Sequence, residues 1–248
     1  MEHVVIAALA AGMLVAAFGY AAVGHGGASA YLAAMALAGI APAEMRPVAL
    51  VLNVLVSSLA TWKFYRAGHF RWPLFWPFAA AAIPLAYVGG AITLPGQAYK
   101  VLVGVVLIYA AWQLWRSARA GAEMRELRQP PLAAAMAIGG AMGLLAGLTG
   151  VGGGIFLSPL LIMLGWAGTK QTSAVAAPFI LVNSVAGLAA IFVTQGVALP
   201  AYVWFLAPAV LAGGWLGAEY GSRRFANSVV RRVLAAVLAL AGAKMLFI

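Results

Sequence analysis

Two glycine-rich loops occur at matching places in the two halves of this chain, each between apolar segments. Glycine loop 1 is Gly24-His25-Gly26-Gly27, and glycine loop 2 is Gly150-Val151-Gly152-Gly153-Gly154. Each loop is followed by a long apolar stretch with one asparagine and then by a Pro…Gly-Gly pattern: Asn53 and Asn183, Pro84…Gly89-Gly90 and Pro208…Gly213-Gly214. Because the same landmarks recur in the same order, the sequence predicts a fold built from two related halves.

The apolar segments around these loops leave little room for a water-soluble surface. The chain is 65% hydrophobic and only 8% charged over 248 residues, which is typical of an integral membrane protein. Helices are expected, because lipid offers no hydrogen-bond partner to an open strand edge. The sequence therefore predicts an all-α integral membrane protein with ten segments, at residues 3–23, 28–41, 47–65, 73–92, 98–116, 131–148, 155–167, 172–194, 200–219 and 229–247.

The second and seventh segments, 28–41 and 155–167, are too short to span a bilayer unaided, because a full crossing needs about 20 residues. Two alternatives stay open at this point: these segments cross, or they return with their predecessors as re-entrant hairpins. Five segments in each half, an odd number, give the halves opposite orientations, so we expect inverted-topology repeats. The predicted division is a first membrane repeat at 1–116, a cytoplasmic linker at 117–130 and a second membrane repeat at 131–248.

The basic residues predict the orientation in the membrane. Of the 15 Lys and Arg residues, one set of connections holds only Arg46, Lys100 and Lys244, and the other set, which includes the linker, holds the rest. The positive-inside rule therefore places the linker in the cytoplasm and the N-terminus outside, in a multi-pass protein of the bacterial inner membrane. We interpret the N-terminal apolar run as a retained helix and not as a cleaved signal peptide. The net charge of +10 is then explained by topology, and no nucleic-acid partner is expected.

The glycine loops are the candidate substrate site. Successive amides without side chains form an anion-binding nest, and a helix that starts just after them adds partial positive charge. Two inverted hairpins would bring both loops together near the midplane, whereas the simpler alternative is that glycine only permits close helix packing. The candidate substrate-binding residues are those of the loops and the polar residues beside them: Gly24, His25, Gly26, Gly27, Ser29, Asn53, Thr149, Gly150, Gly152, Gly153, Gly154 and Asn183.

Three kinds of polar residue near the loops each allow two interpretations. His25, a titratable ring at membrane depth, either donates to an anion or carries a proton, or it only caps a helix. Asn53 and Asn183 either hold the loop backbone in shape or touch the ligand. Arg46 recruits an anion to the mouth of the pathway, with Lys170 at the corresponding place in the second half, or it extends to the membrane interface.

Other function classes find little support. Ser29 and His25 would be the pair of an intramembrane serine protease, but they lie within five residues of each other, which is poor geometry for a catalytic dyad. The chain has no cysteine, no phosphate-binding loop with a lysine, no zinc-ligand spacing and no haem-ligand pair, so we expect no cofactor, no metal site and no enzyme. A secondary transporter for a small anion is the preferred function, and an anion channel of the same fold is its main alternative.

The stretch Gly147-Leu148-Thr149-Gly150-Val151-Gly152-Gly153-Gly154-Ile155-Phe156-Leu157-Ser158-Pro159-Leu160-Leu161 resembles the signature of the sulfite exporter TauE/SafE family, and the similarity extends over the whole chain. This resemblance implies a permease for small sulfur-containing anions such as sulfite, sulfonates or thiosulfate. The first half departs from the signature, with Ala33 where Pro159 stands and with His25 inserted. The expected partners are a small anionic substrate and the lipid bilayer, and a homodimer stays open.

Overall fold

The computed structural model describes residues 3–117, 128–223 and 228–247, and all the regular structure in these ranges is helical. The helices are α1 (His3–Ala21), α2 (Ala28–Leu37), α3 (Pro42–Arg66), α4 (Trp72–Ala91), α5 (Gly96–Ser117), α6 (Leu132–Thr149), α7 (Gly154–Met163), α8 (Thr169–Gln195), α9 (Val203–Arg223) and α10 (Ser228–Phe247). Each coincides with one predicted apolar segment, so the all-α prediction is confirmed. Most of the predicted linker, at 118–127, lies outside the described residues.

Helices α1, α3, α4, α5, α6 and α8 are long and apolar enough to cross a membrane. In contrast, α2 and α7 have 10 residues each. At about 1.5 Å per residue, each reaches only about half of a hydrocarbon core of about 30 Å. The helices α9 and α10 have 21 and 20 residues, and α10 contains the apolar stretch Leu234–Phe247.

Two parallel helix pairs, α4 with α6 and α1 with α9, pack closely through glycine. A Cβ added to Gly143 would lie 2.6 Å from the Ala82 Cα, and one added to Gly217 would lie 2.8 Å from the Phe18 Cα, so no larger residue fits. Small residues at every fourth position let membrane helices approach in this way. The glycines and their partners advance together along each pair: Gly139 with Phe78, Gly143 with Ala82, Gly147 with Ala86, Gly213 with Leu14, Gly217 with Phe18, and Gly221 with Ala22.

Both short helices belong to hairpins that return to the end at which they began. Because α1 runs parallel to α9, both start at one end of the bundle, where Tyr202 before α9 donates its hydroxyl to Glu44 in the first turn of α3, 2.9 Å away. α2 leads directly into α3 at this same end, which we call the far end. At the opposite end, the linker end, the Arg128 amide before α6 donates to the Gly165 carbonyl after α7 at 2.9 Å. Two full crossings and a re-entrant pair both return the chain in this way, so the choice between these alternatives stays open.

The packing of the helices follows the duplication in the sequence. If α1 to α5 are exchanged for α6 to α10, the contact of α4 with α6 becomes that of α9 with α1, and the contact of α4 with α8 becomes that of α9 with α3. The contact of α3 with α8 and the contact of α5 with α10 are each unchanged by this exchange. Gly89 accordingly lies against α6, and its counterpart Gly213 lies against α1. The inverted orientation of the two halves relative to a bilayer stays a prediction.

Candidate functional site

The side chain of Asn53, in the middle of α3, lies between the two glycine loops. It is fully buried, and its Nδ2 donates to the Ser184 Oγ on α8 at 2.8 Å. A Cβ added to Gly26 would collide with the Asn53 Oδ1 and lie 2.7 Å from its Cγ, and one added to Gly152 would collide with its Nδ2. The Asn53 Oδ1 itself has no hydrogen-bond partner. The two loops, 126 residues apart (150 − 24 = 126), thus meet on one buried amide group.

The backbone of both loops requires glycine. Gly24 and Gly27 in loop 1 have φ angles of 75° and 95°, and Gly150, Gly152 and Gly153 in loop 2 have φ angles of 83°, 80° and 80°. Residues with a Cβ rarely adopt this left-handed conformation. The loops therefore owe their shape to glycine, whether they serve packing, anion binding or both.

Each loop ends in four consecutive backbone amides that donate to no backbone carbonyl. In the described part of the chain these are the amides of residues 26–29 and 152–155. The amides on either side of the first run are paired, since His25 donates to the Tyr20 carbonyl at 2.9 Å and Ala30 to the Gly27 carbonyl at 3.0 Å. The free amides lie at the N-termini of α2 and α7, where the helix dipole is positive. Free amides of this kind are the donors that an anion-binding nest would use.

His25 connects loop 1 to the second half of the chain. Its Nδ1 lies 3.0 Å from the Val23 carbonyl oxygen, and its Nε2 lies 3.1 Å from both the Gly154 carbonyl oxygen and the Ser158 Oγ. A doubly protonated ring can donate to both carbonyls, whereas a ring protonated only on Nδ1 can accept a hydrogen bond from the Ser158 hydroxyl at Nε2. The two protonation states of His25 therefore make different bonds across the two halves.

A cavity of about 120 Å³ lies on the linker-end side of the loops and reaches His25. This volume is several times what one water molecule needs. The wall is mainly apolar, with hydroxyl and amide groups between the apolar side chains: Tyr20, Val23, Gln113, Leu114, Ile155, Ser158, Pro159, Ile162, Thr169, Thr172 and Ser173 complete it. Of the residues predicted to bind substrate, only His25 lines this cavity, and the glycines and asparagines lie beyond it.

Of the predicted polar residues, two form hydrogen bonds within their own part of the chain and one has no hydrogen-bond partner for its side chain. Ser29 donates its hydroxyl to the Tyr20 hydroxyl at 2.8 Å and not to His25. Thr149 donates to the Leu145 carbonyl at 2.7 Å, and thus binds the last turn of its own helix. Asn183 is fully buried, and neither atom of its amide group has a hydrogen-bond partner.

The residue that lies beneath loop 2 is Ile180 and not Asn183. Cβ atoms added to Gly152 and Gly154 would lie 2.9 Å and 2.5 Å from side-chain carbons of Ile180. The asparagines are 130 residues apart (183 − 53 = 130), whereas Ile180 is 127 residues from Asn53 (180 − 53 = 127). Three residues are nearly a full helical turn, so the two asparagines do not occupy equivalent places.

Two serines that line the cavity, Ser158 and Ser173, were not among the predicted site residues. Ser158 contacts His25, and Ser173 donates its hydroxyl to the Val23 carbonyl at 2.9 Å. Ser158 follows Gly154 by one helical turn, so a search for polar residues on the loop-facing side of α7 would have found it. Ser173 lies near the start of α8, and its approach to loop 1 depends on the packing of one half on the other, which leaves no local signal.

Arg46 is buried at the far-end side of the loops and does not extend to the membrane interface. Its Nη1 donates to the Ile92 carbonyl at 2.9 Å, and its Nη2 donates to the carbonyls of Gly89, at 3.0 Å, and Gly90. These carbonyls end α4, where the helix dipole is negative. In this structure the guanidinium therefore caps the C-terminus of α4.

Comparisons with known proteins agree with this architecture. The family model "Sulfite exporter TauE/SafE" matches residues 8–245. The chain is 39% identical over 242 residues to "Probable membrane transporter protein y4hK" of Sinorhizobium fredii (strain NBRC 101917 / NGR234), covering 96% of this chain and 97% of that protein. No solved structure matches the chain significantly. From its full-length match and its apolar helices, the chain belongs to the sulfite exporter TauE/SafE family and is a multi-pass membrane transporter.

Proposed function

We propose that this protein is a secondary transporter that moves a small sulfur-containing anion, such as sulfite or a sulfonate, across the bacterial inner membrane by alternating access. The observation that carries the proposal is the pair of free-amide runs at residues 26–29 and 152–155, which meet on Asn53. Amides that already lack carbonyl partners bind an anion without first breaking a hydrogen bond. The inference that the anion contains sulfur rests on the family, whose description names sulfite.

Alternating access is supported by a difference between the two short helices. Both pack on the helix that follows them, but α2 also packs along α10, whereas its counterpart α7 barely touches α5 and has the cavity beside it. Two related halves in different arrangements are expected of a transporter with inverted repeats, because exchanging the arrangements closes one side and opens the other. With the linker end in the cytoplasm, as the basic residues predict, the present state is the one open to the cytoplasm.

The test is flux into proteoliposomes of labelled sulfite, thiosulfate, sulfate and sulfoacetate, after a thermal-shift screen with the same anions. A ligand that prefers the folded protein raises its melting temperature. We expect one or more of these sulfur anions to enter, and an excess of the unlabelled anion inside to accelerate entry. With the membrane potential clamped at zero, an open channel would show no such acceleration, so its absence would favour the channel alternative. Failure of all four anions to bind or move would refute the sulfur-anion proposal.

The loops provide the variants for this assay. Gly26→Val and Gly153→Val place branched side chains against Asn53 and Phe179 and so displace the amides that are proposed to face the anion. Both should abolish flux while the protein still reaches the membrane. Gly12→Ala on α1 is the control, because an added Cβ there meets nothing within 4 Å. Normal flux in both valine variants would make the loops packing elements only.

One contact favours a second function, that of an intramembrane hydrolase. The Ser158 Oγ lies 3.1 Å from the His25 Nε2, which is the distance of a nucleophile from its base. The His25 Nδ1 faces the Val23 carbonyl and not a carboxylate, so a proton on this ring gains less stabilisation than in a catalytic triad. A fluorophosphonate probe, which reacts covalently with activated serines, tests this second function. Labelling of the wild type but not of Ser158→Ala would support a hydrolase, and no labelling of the wild type would exclude an activated serine.

A further inference from the structure

Arg46 and Ser173 occupy equivalent places in the two halves. Each is the fifth residue of its helix, since α3 begins at Pro42 and α8 at Thr169. Each also lies against the first glycine of the loop from the other half. A Cβ added to Gly150 would lie 3.2 Å from the Arg46 Cγ, and one added to Gly24 would lie 2.7 Å from the Ser173 Cβ. The counterpart of Arg46 is therefore Ser173, and the sequence-based pairing of Arg46 with Lys170 is wrong by one helical turn.

The surroundings of these two residues differ in the present state. Ser173 lines the cavity that reaches His25. Around Arg46 the corresponding space is closed: Tyr99 reaches across from α5 and donates its hydroxyl to the Thr149 carbonyl, 3.1 Å away and next to Gly150. Arg46 is 6% exposed and Tyr99 is 4% exposed. If the two halves exchange arrangements, Arg46 lines the space that opens at the far end, as Ser173 lines the cavity here.

The positive charge of Arg46 is not balanced by an acid. Its Nη atoms donate to carbonyls at the end of α4, and its Nε has no partner. Within residues 3–117, 128–223 and 228–247, the recorded ion pair is Lys63 with Glu219, and Arg46 forms none. The carboxylate of Glu44, two residues away, accepts a hydrogen bond from the Tyr202 hydroxyl. A buried guanidinium held only by neutral carbonyls favours a negative ligand strongly, because the pair would then be neutral.

The bonds that hold Arg46 can be exchanged for bonds to an anion. The Gln195 Nε2 also donates to the Gly90 carbonyl, at 3.1 Å, so the end of α4 keeps a donor when the guanidinium turns away. The planar fork of a guanidinium binds two oxygens of a carboxylate or phosphate at once, and a sulfite or sulfonate group presents oxygens in a similar arrangement. We propose that Arg46 binds the transported anion in the state open at the far end, a role that rests on the alternating-access function proposed above.

The experiment measures the KM for entry from the far end in oriented proteoliposomes, with whichever of labelled sulfite, thiosulfate or sulfoacetate the wild type moves. Arg46→Gln should raise this KM at least tenfold, and Arg46→Lys, which keeps a charge but loses the fork, should raise it only severalfold. Lys244→Gln is the matched control, since Lys244 is a far-end cation that also donates to a carbonyl, that of Leu37 at 3.0 Å. It should leave the KM unchanged.

Each outcome separates this role from capping of α4. A variant that only loses a cap has a lower melting temperature and less active protein, hence a lower Vmax with a normal KM. A normal far-end KM in Arg46→Gln, or in Arg46→Lys where the glutamine variant does not fold, overturns the binding role and leaves the transport function standing. If the wild type moves none of the three anions, the proposed function itself fails, and the role of Arg46 fails with it.

Discussion

The position of Asn53 between the loops can be tested with one methyl group, through Gly26→Ala. Gly26 has no positive φ angle, so alanine introduces no backbone strain there, and the whole effect is steric. The new Cβ would lie 2.7 Å from the Asn53 Cγ, whereas an ordinary contact needs at least 3.4 Å, so the amide must move by about 0.7 Å or more (3.4 − 2.7 = 0.7). Asn53 is fully buried, and a movement of this size breaks its 2.8 Å bond to Ser184.

The expected magnitude follows from these two effects. Overpacking a filled site costs about 1–3 kcal/mol, and leaving a buried hydrogen-bonding group without its partner costs about 1–3 kcal/mol more. At about 2–4 °C per kcal/mol for a chain of this size, the melting temperature should fall by roughly 5–20 °C. Gly12→Ala is the control, because that glycine lies in a helix with open space around it and alanine favours the helix.

The assay is thermal unfolding in detergent, read from the loss of monodisperse protein, together with anion flux. The double variant Gly26→Ala, Asn53→Ala removes the group with which the methyl collides, so it should regain part of the lost stability, and the two effects should not add. A melting temperature of Gly26→Ala within about 2 °C of the wild type, with normal flux, would refute the placement of the Asn53 amide between the loops.

Three further predictions concern orientation, packing and pH. The chain has no cysteine, so single cysteines at Gln97 and Ser117 should label from opposite sides of the membrane, Gln97 from outside, and labelling of both from one side would end the inverted-repeat prediction. Gly143→Ala meets the Ala82 backbone, whereas Gly140→Ala meets only the end of the Leu85 side chain at 2.8 Å, so thermal unfolding should show a clear loss for the first and little for the second. His25→Gln should lower anion flux and flatten its pH dependence if the ring carries a charge, because glutamine keeps hydrogen bonding but cannot take up a proton. An unchanged pH profile would make His25 structural.

Most of the fold could be predicted from the sequence, because bilayer thickness and backbone hydrogen bonding leave few alternatives for a chain this apolar. The predicted segments 3–23 and 172–194 compare with the helices His3–Ala21 and Thr169–Gln195. Whether the short segments cross fully or are re-entrant stays open, because both arrangements return the chain to the same end. The bond from the Arg128 amide to the Gly165 carbonyl, which spans the second hairpin, has no signature in the sequence.

Less of the site could be predicted, because a helical position depends on register. The glycine loops were identified from local composition, and their meeting on Asn53 agrees with the expected convergence. The pairing of Asn53 with Asn183 assumed that the two halves align without a shift, and a shift of three residues moves a side chain by nearly one turn. Ile180 therefore lies where an asparagine was expected, and the difference became visible only once the two halves were packed together.

The glycine contact between α1 and α9 joins parts of the chain that are synthesised far apart in time. Leu14 and Gly213 are separated by 199 residues (213 − 14 = 199), which takes about 10–40 s at about 5–20 residues per second. During that interval α1 must reside in lipid without its partner, and its mean hydropathy of 2.2, the highest of the six candidate spans, permits this. Insertion of this protein therefore includes a late closure of α9 onto α1, and a nascent chain cut short before α9 leaves its first helix exposed to membrane quality control.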